Sequence, residues 1–367
     1  MNIGFVCSSD GIGGAEKNIK LTCEHLNKKG FSTSVILLRN CPKLKDFYEK
    51  NNIEVYSFNL VSIRSVLKDF VRLCSLLRSK KFDAIQLFGL RTNIIMRPIG
   101  KLIARTKVVT AVVSTDDWRK WYHIMLDRIT APFVDMYVSN SIAGKEAVMK
   151  REKVKESKIK VVYYGINLDS YEPLTEGEKE AARGKYGIKA QNFVISEIAN
   201  LRIMKGHKLV IDAVENLVKD FDNIRVIFAG KDDSNGEIPN YIKEKRLEKY
   251  FILAGFVDDI RSLLGITDLF LLPSDWEGMP TCVLEAMSMK VPVITTKVGG
   301  IHELTGDDGG ILIPKGDSKA LERAIRTMLG NENTRKNCVM NGYIRAKEIF
   351  SENDTFDKLA KVFKSMP

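Results

Sequence analysis

The chain has 367 residues, 44% of them hydrophobic, and a formal net charge of +11. This length suits roughly two domains of ~150 residues, each able to bury a core without staples. No apolar run approaches the ~18 residues of a membrane-spanning helix, no basic leader with a cleavage site opens the chain, and six scattered cysteines without a C-x-x-C pair read as reduced thiols.

In chain order, buried strands are expected at 3–7, 33–38, 54–58, 84–88, 108–113 and 136–138, separated by stretches with apolar residues every three or four positions. Strand and helix in alternation imply a parallel sheet covered on both faces. A second series follows at 193–198, 226–229, 251–254, 269–272, 292–295 and 310–313. The reading is α/β, with two doubly wound domains: residues 1–168, a connection at 169–190 containing Pro173 and three glycines, residues 191–350, and a terminal helix at 351–367.

The turn after the first strand carries Gly11, Gly13 and Gly14 ahead of an apolar-periodic helix. Glycines there permit a ligand to approach backbone amides at a helix start, although tight turns use glycine for geometry alone. The pattern is not G-x-G-x-x-G.

The second domain is more specific. Arg202 and Lys205 follow the strand at 193–198 and precede a helix, the place where open α/β sheets bind ligands. Two cations there suit a diphosphate and the charge that develops on a leaving nucleotide. The strand at 269–272 runs into Pro273-Ser274-Asp275-Trp276-Glu277-Gly278-Met279-Pro280-Thr281 and a helix carrying Glu285. The turn from Gly278 to Thr281 aims free amides at a ligand, while Glu277 and Glu285 offer acceptors to sugar or ribose hydroxyls. Gly299 and Gly300 form a further turn facing the same side. His302 beside them reads as a surface or packing residue.

Together these segments resemble the retaining glycosyltransferases of family 4, with the GT-B fold of two facing Rossmann-like domains and a deep cleft between them. The resemblance runs from Gly13-Gly14-Ala15-Glu16 through Arg202 and Lys205-Gly206 to Glu277, Glu285 and Gly299-Gly300. It implies that Arg202 and Lys205 contact the donor pyrophosphate, Glu277 the donor sugar, Glu285 the ribose and Gly14 the phosphate. It also implies a nucleotide-sugar donor, retention of configuration, and neither a metal nor a separate cofactor. The sequence departs from the family pattern after 108–113. Where many relatives carry a histidine it reads Ser114-Thr115-Asp116-Asp117-Trp118, with Asp116 as the alternative polar partner. The other readings are a nucleotide-sugar epimerase or hydrolase on the same fold, and a basic nucleic-acid-binding protein.

The charge is unevenly placed and points to an anionic partner, a membrane surface or nucleic acid, or else to a soluble basic face. Residues 1–168 hold 29 Lys and Arg against 15 Asp and Glu, net +14, while the remainder nets −3. An apolar stripe through Ile63, Val66, Leu67, Phe70, Val71, Cys74 and Leu77 is flanked by Arg64, Lys68 and Arg72. A second run, 91–107, mixes apolar residues with Arg91, Arg97, Lys101, Arg105 and Lys107. Their apolar sides are expected to cover the sheet and their basic sides to dock on an anionic membrane. No zinc finger or RNA-recognition motif supports nucleic acid. The expectation is a cytoplasmic enzyme, peripheral at the inner face of the plasma membrane, acting on a glycan or lipid-linked glycan.

Overall fold

A computed structural model describes residues 1–60 and 66–366. The described chain forms two compact units, Met1–Gly165 joined by the C-terminal helix from Asn353, and Ile166–Glu352.

The first unit runs β1 (Asn2–Cys7), α1 (Gly14–Lys28), β2 (Ser32–Leu37), α2 (Pro42–Glu49), β3 (Glu54–Ser57), α3 (Val66–Lys80), β4 (Ala84–Phe88), α4 (Leu90–Pro98), β5 (Lys107–Val112), α5 (Trp121–Thr130), β6 (Met136–Ser139), α6 (Ile142–Glu152) and β7 (Ile159–Val161). The second runs α7 (Glu176–Lys185), β8 (Phe193–Ile198), α8 (His207–Leu217), β9 (Ile224–Ala229), α9 (Glu237–Glu244), β10 (Phe251–Gly255), α10 (Ile260–Leu264), β11 (Leu269–Leu272), α11 (Thr281–Ser288), β12 (Val293–Thr296), α12 (Ile301–Thr305), β13 (Ile311–Ile313), α13 (Ser318–Gly330) and α14 (Glu332–Ile349). Helix α15 (Glu352–Lys364) returns to the first unit.

Among the described residues, seven strands in the order β3-β2-β1-β4-β5-β6-β7 form the first sheet and six in the order β10-β9-β8-β11-β12-β13 the second. All pairings are parallel. Successive side chains on each strand face opposite layers. In the first unit Ile3, Phe5, Val35 and Leu37 pack under α1 and α2, where Phe356, Leu359 and Phe363 of α15 join them. Val6, Ile36, Ile85, Leu87 and Val108 pack under α3 and α4 on the other face. In the second unit Ile195, Val226, Phe228 and Leu271 meet α8, α9 and α13, and Val194, Ile227 and Ala229 meet α7 and α10.

The caps explain several boundaries. Thr175 accepts from the Glu178 amide while Glu178 reaches back to the Thr175 amide, so α7 starts with a capping box. This helix lies in the stretch read as a connection and belongs to the second unit. Asp317 and Asn331 cap α13 and α14 through the amides of Ala320 and Thr334.

Two expectations about the basic helices change. On α3, Leu73, Cys74 and Leu77 are buried, but Leu67 and Val71 are 80% and 66% exposed, so the stripe is wider than the sheet covers. Ile63 and Arg64 lie outside the described residues. Arg97 does not belong to a positive surface. It is fully buried, 3.0 Å from Glu152, and donates to Thr110, Thr130 and the Asp127 carbonyl at 3.2 Å. Arg119 and Arg151 join the same buried group with Asp127, Glu152 and Asp116. Three cations meet three carboxylates, which is how a charge cluster tolerates burial.

Candidate active site

Each sheet reverses its direction of growth once, between β1 and β4 and between β8 and β11. Ligands of open α/β sheets bind outside the carboxyl ends of the strands at such a switch point. In the second unit the loops carrying Lys205 and Glu277 leave these two strands.

After β8 the chain makes one 3-10 turn, Ile203–Lys205, and Gly206 enters the left-handed region at φ 85° before α8. A Cβ at Gly206 would stand 2.2 Å from the Pro273 carbonyl oxygen, so glycine is what lets this loop lie on the one leaving β11. The Asp275 amide donates to Met204 O at 2.7 Å across the same contact. Lys205 Nζ thereby reaches Glu277 Oε1 at 2.6 Å, and Ser274 Oγ donates to that oxygen at 2.7 Å. Desolvation works to lower the Lys205 pKa, but the Glu277 carboxylate outweighs it and holds the ammonium above its ordinary value. Lys205 is a fixed cation at neutral pH.

The loop after β12 closes on the same place. Gly299 sits at φ 51°, where a Cβ would be 1.9 Å from the Glu277 carbonyl oxygen. The Gly300 amide donates to Gly278 O at 2.8 Å. Met279 is buried, Pro280 occupies the N-cap of α11, and Thr281 opens that helix. Lys205, Glu277, Gly278, Gly299 and Gly300 are thus brought together by direct contact.

Glu285 lies one turn further into α11, against a residue the sequence did not single out. Desolvation, then the adjacent hydrogen-bonded Glu285 carboxylate, raises the Tyr171 phenol pKa. Cys282 is pushed up by desolvation and then by Glu285 and Glu277, so its thiol stays protonated beside both carboxylates. Arg202 belongs to the same turn as Lys205 but points elsewhere, its Nε and Nη2 lying 2.9 and 2.8 Å from Asp233 Oδ2. Partial desolvation opposes ionisation of Asp233, yet Arg202 and Lys231 hold it below the usual carboxylate range.

Behind Lys205 is a buried pair. Glu197 on β8 and His207 at the start of α8 have no exposed surface and stand 3.3 Å apart. Desolvation, reinforced by Glu277 and opposed by Lys205, raises the Glu197 pKa well above its ordinary value. Desolvation lowers that of His207 to about 4, with Lys205 adding to the effect and backbone carbonyls opposing it. Burial thus favours the uncharged form of both members of the pair. His302 is half-exposed and bonds Asp307 at 2.9 Å.

In the first unit Gly13 caps α1 in an extended conformation, and its amide donates to Glu16 Oε2 at 2.9 Å. Ser9 donates to the other oxygen of that carboxylate. Gly14 is the first helical residue. Asp116, at φ 56°, is held by Arg119, whose guanidinium also reaches the buried Asp127. The Asp116 carboxylate is thus part of the loop's anchorage.

Fold and site together define a class. Residues 12–170 match the family profile described as Glycosyltransferase Family 4, and residues 178–345 match that described as Glycosyl transferases group 1. The chain belongs to this family of glycosyltransferases, and its two parallel-sheet Rossmann-like units have the GT-B fold. Among relatives, it is 26% identical over 322 residues to the UDP-Gal:α-D-GlcNAc-diphosphoundecaprenol α-1,3-galactosyltransferase of Escherichia coli, covering 81% of this chain and 80% of that one. It is 24% identical over 225 residues to the capsular polysaccharide biosynthesis glycosyltransferase CapM of Staphylococcus aureus, covering 60% and 59%. The crystal structure of HepE from Anabaena in complex with UDP-glucose superposes with a TM-score of 0.88 at 22% identity over the whole of both chains.

Proposed function

We propose that the protein moves a sugar, with retention and without a resident metal, from a nucleotide-diphosphate sugar to a hydroxyl of a glycan or lipid-linked glycan in bacterial cell-surface polysaccharide assembly. The observation that carries the donor assignment is the Lys205–Glu277 pair at the β8–β11 switch point. A fixed ammonium there neutralises charge on a departing diphosphate, the task a divalent cation performs elsewhere. Arg202 supplies a second cation when its guanidinium turns from Asp233. Glu277 then accepts hydrogen bonds from the sugar, Glu285 from the ribose, and the turns at Gly278–Thr281 and Gly299–Gly300 offer amides.

In the proposed step the bond between the anomeric carbon and the diphosphate oxygen breaks, and the acceptor oxygen bonds that carbon on the same face. The acceptor proton passes to the departing diphosphate oxygen, so no side-chain base is required. UDP is the nucleotide to test first, because the Escherichia coli relative uses UDP-Gal and HepE was crystallised with UDP-glucose. The first unit is assigned to the acceptor side, with Asp116 near a strand end as a polar partner, while Gly13 and Gly14 offer backbone to the donor phosphate. Its charge and the exposed apolar face of α3 support peripheral contact with an anionic membrane from the cytoplasmic side. Residues Phe70, Val71, Cys74, Arg78 and Ile103 there line an open groove of about 610 Å³. Among the described residues no helix is long and apolar enough to cross a bilayer.

The test is transfer from UDP-sugars to a lipid-linked acceptor with EDTA present, read by mass and by the anomeric coupling of the product. Loss of transfer in Arg202→Ala and Lys205→Ala with folding retained supports the assignment. An inverted product, or turnover that needs added metal, contradicts the corresponding part.

A further inference from the structure

Helix α5 is amphipathic in the inverted sense. Its buried residues are Asp127 and Thr130, held by Arg97 and Arg119. Its solvent side carries Trp121, Tyr122, Met125 and Ile129, 73%, 37%, 46% and 60% exposed, with Trp118 just ahead of the first turn at 46%. Their spacing places them on one side of the helix. Helices of globular proteins turn this side inward, and large uncovered apolar patches mark an interaction surface.

Composition and charge select the partner. Trp and Tyr favour the boundary between headgroups and acyl chains, where one edge of the ring is wet and the rest is not. Trp121 and Tyr122 stand edge-to-face at 5.8 Å at one end of the ridge. Exposed Lys120 and Arg128 flank it, and Arg128 Nε bonds the Arg151 carbonyl beside exposed Lys150 and Lys153. Asp117 is the acid exposed next to Trp118. A second copy of this chain would bring a region of net +14 against another of the same sign, whereas an anionic bilayer meets both the cations and the apolar ridge.

We propose that the α5 ridge is the membrane anchor, with Trp118, Trp121, Met125 and Ile129 inserted into the interface of an anionic bilayer and Lys120 and Arg128 at the headgroups. This rests on the peripheral-membrane reading above and adds α5, as the inserted part, to the contact surface offered by α3. The chain has three tryptophans, so Trp276→Phe leaves Trp118 and Trp121 as the reporters. With vesicles of equal phosphatidylglycerol and phosphatidylcholine, their emission should shift to shorter wavelength and be quenched by brominated acyl chains. Burial of one large apolar side chain is worth roughly tenfold in an equilibrium, so Trp121→Asp and Ile129→Asp should each weaken vesicle binding by about that factor. Both residues are exposed, so an unchanged melting temperature verifies the fold. Vesicle binding with unshifted, unquenched tryptophans would overturn the α5 anchor and leave a membrane reading that rests on charge and the α3 face. No binding to anionic vesicles would overturn both. A concentration-dependent dimer dispersed by Trp121→Asp, with vesicle binding unchanged, would assign the ridge to a second copy and overturn the proposal.

Discussion

Lys205 Nζ lies 2.6 Å from Glu277 Oε1, joining loops 72 residues apart in sequence at the switch point of the second sheet. The pairing keeps the lysine charged despite its partial burial, and the lysine in turn orients the carboxylate. Lys205→Ala should lower kcat by roughly 10²–10³, the usual cost of removing a preorganised charge from a transition state. Steady-state kinetics on Lys205→Ala, Glu277→Ala and the double variant check this. Strongly non-additive losses are expected because the residues act as one unit.

The Glu197–His207 pair predicts an unusual pH dependence of stability. His207 has its pKa lowered to about 4, so between there and the unfolded value near ~6.5 the unfolded chain binds one more proton and stability should rise with pH. Glu197 has its pKa raised, so above the unfolded value near ~4.3 the folded chain holds one more proton and stability should fall with pH. The two slopes oppose each other from about pH 4.5 up to the lower of the raised Glu197 value and ~6.5. Urea unfolding in that window should show little dependence from this pair in the wild type. Glu197→Gln should uncover a rise with pH, and His207→Gln a fall.

Gly299→Ala should be far more damaging than Gly316→Ala. Both glycines have positive φ, 51° and 74°, but a Cβ at Gly299 would meet the Glu277 carbonyl oxygen at 1.9 Å while none is near Gly316. Strain alone costs about 1 kcal/mol. The clash adds displacement of the Glu277 loop, so Gly299→Ala should also lose turnover. Equilibrium unfolding and kinetics on the two variants separate the effects.

Arg97→Met should destabilise the first unit by about 3–5 kcal/mol, because it leaves Asp127 and Glu152 buried with less compensating charge. Chemical denaturation measures the loss directly. Retained vesicle binding in the folded fraction would keep this role separate from that of the surface cations.

Much of the architecture is written in local pattern. The strands at 84–88, 193–198 and 269–272 coincide with β4, β8 and β11 because short, predominantly apolar runs are what a sheet covered on both faces requires. Strand β7 escapes that logic: three residues at a sheet edge, with Lys160 exposed between Ile159 and Val161, carry no run to detect. That Lys205, Glu277 and Gly299 lie near one another was legible because each follows a neighbouring strand of one parallel sheet and so emerges at the same sheet end. Glu197 was not, since one carboxyl inside an apolar strand has no spacing to betray it. Tyr171, Ser274 and the acidic partner of Arg202 depend on which loops fold together. The burial of Arg97 shows the same limit, because its position in a basic run suggested a surface that tertiary packing denies it.

The most direct test of the central claim, that the second unit holds a nucleotide-sugar donor through Lys205, is thermal unfolding of the purified protein in EDTA with UDP-, GDP-, ADP- and dTDP-sugars. A ligand bound only by the folded state raises the melting temperature. The account predicts a rise with one nucleotide class, UDP first, that disappears in Lys205→Ala. No rise with any nucleotide sugar, or an equal rise in Lys205→Ala, would contradict it.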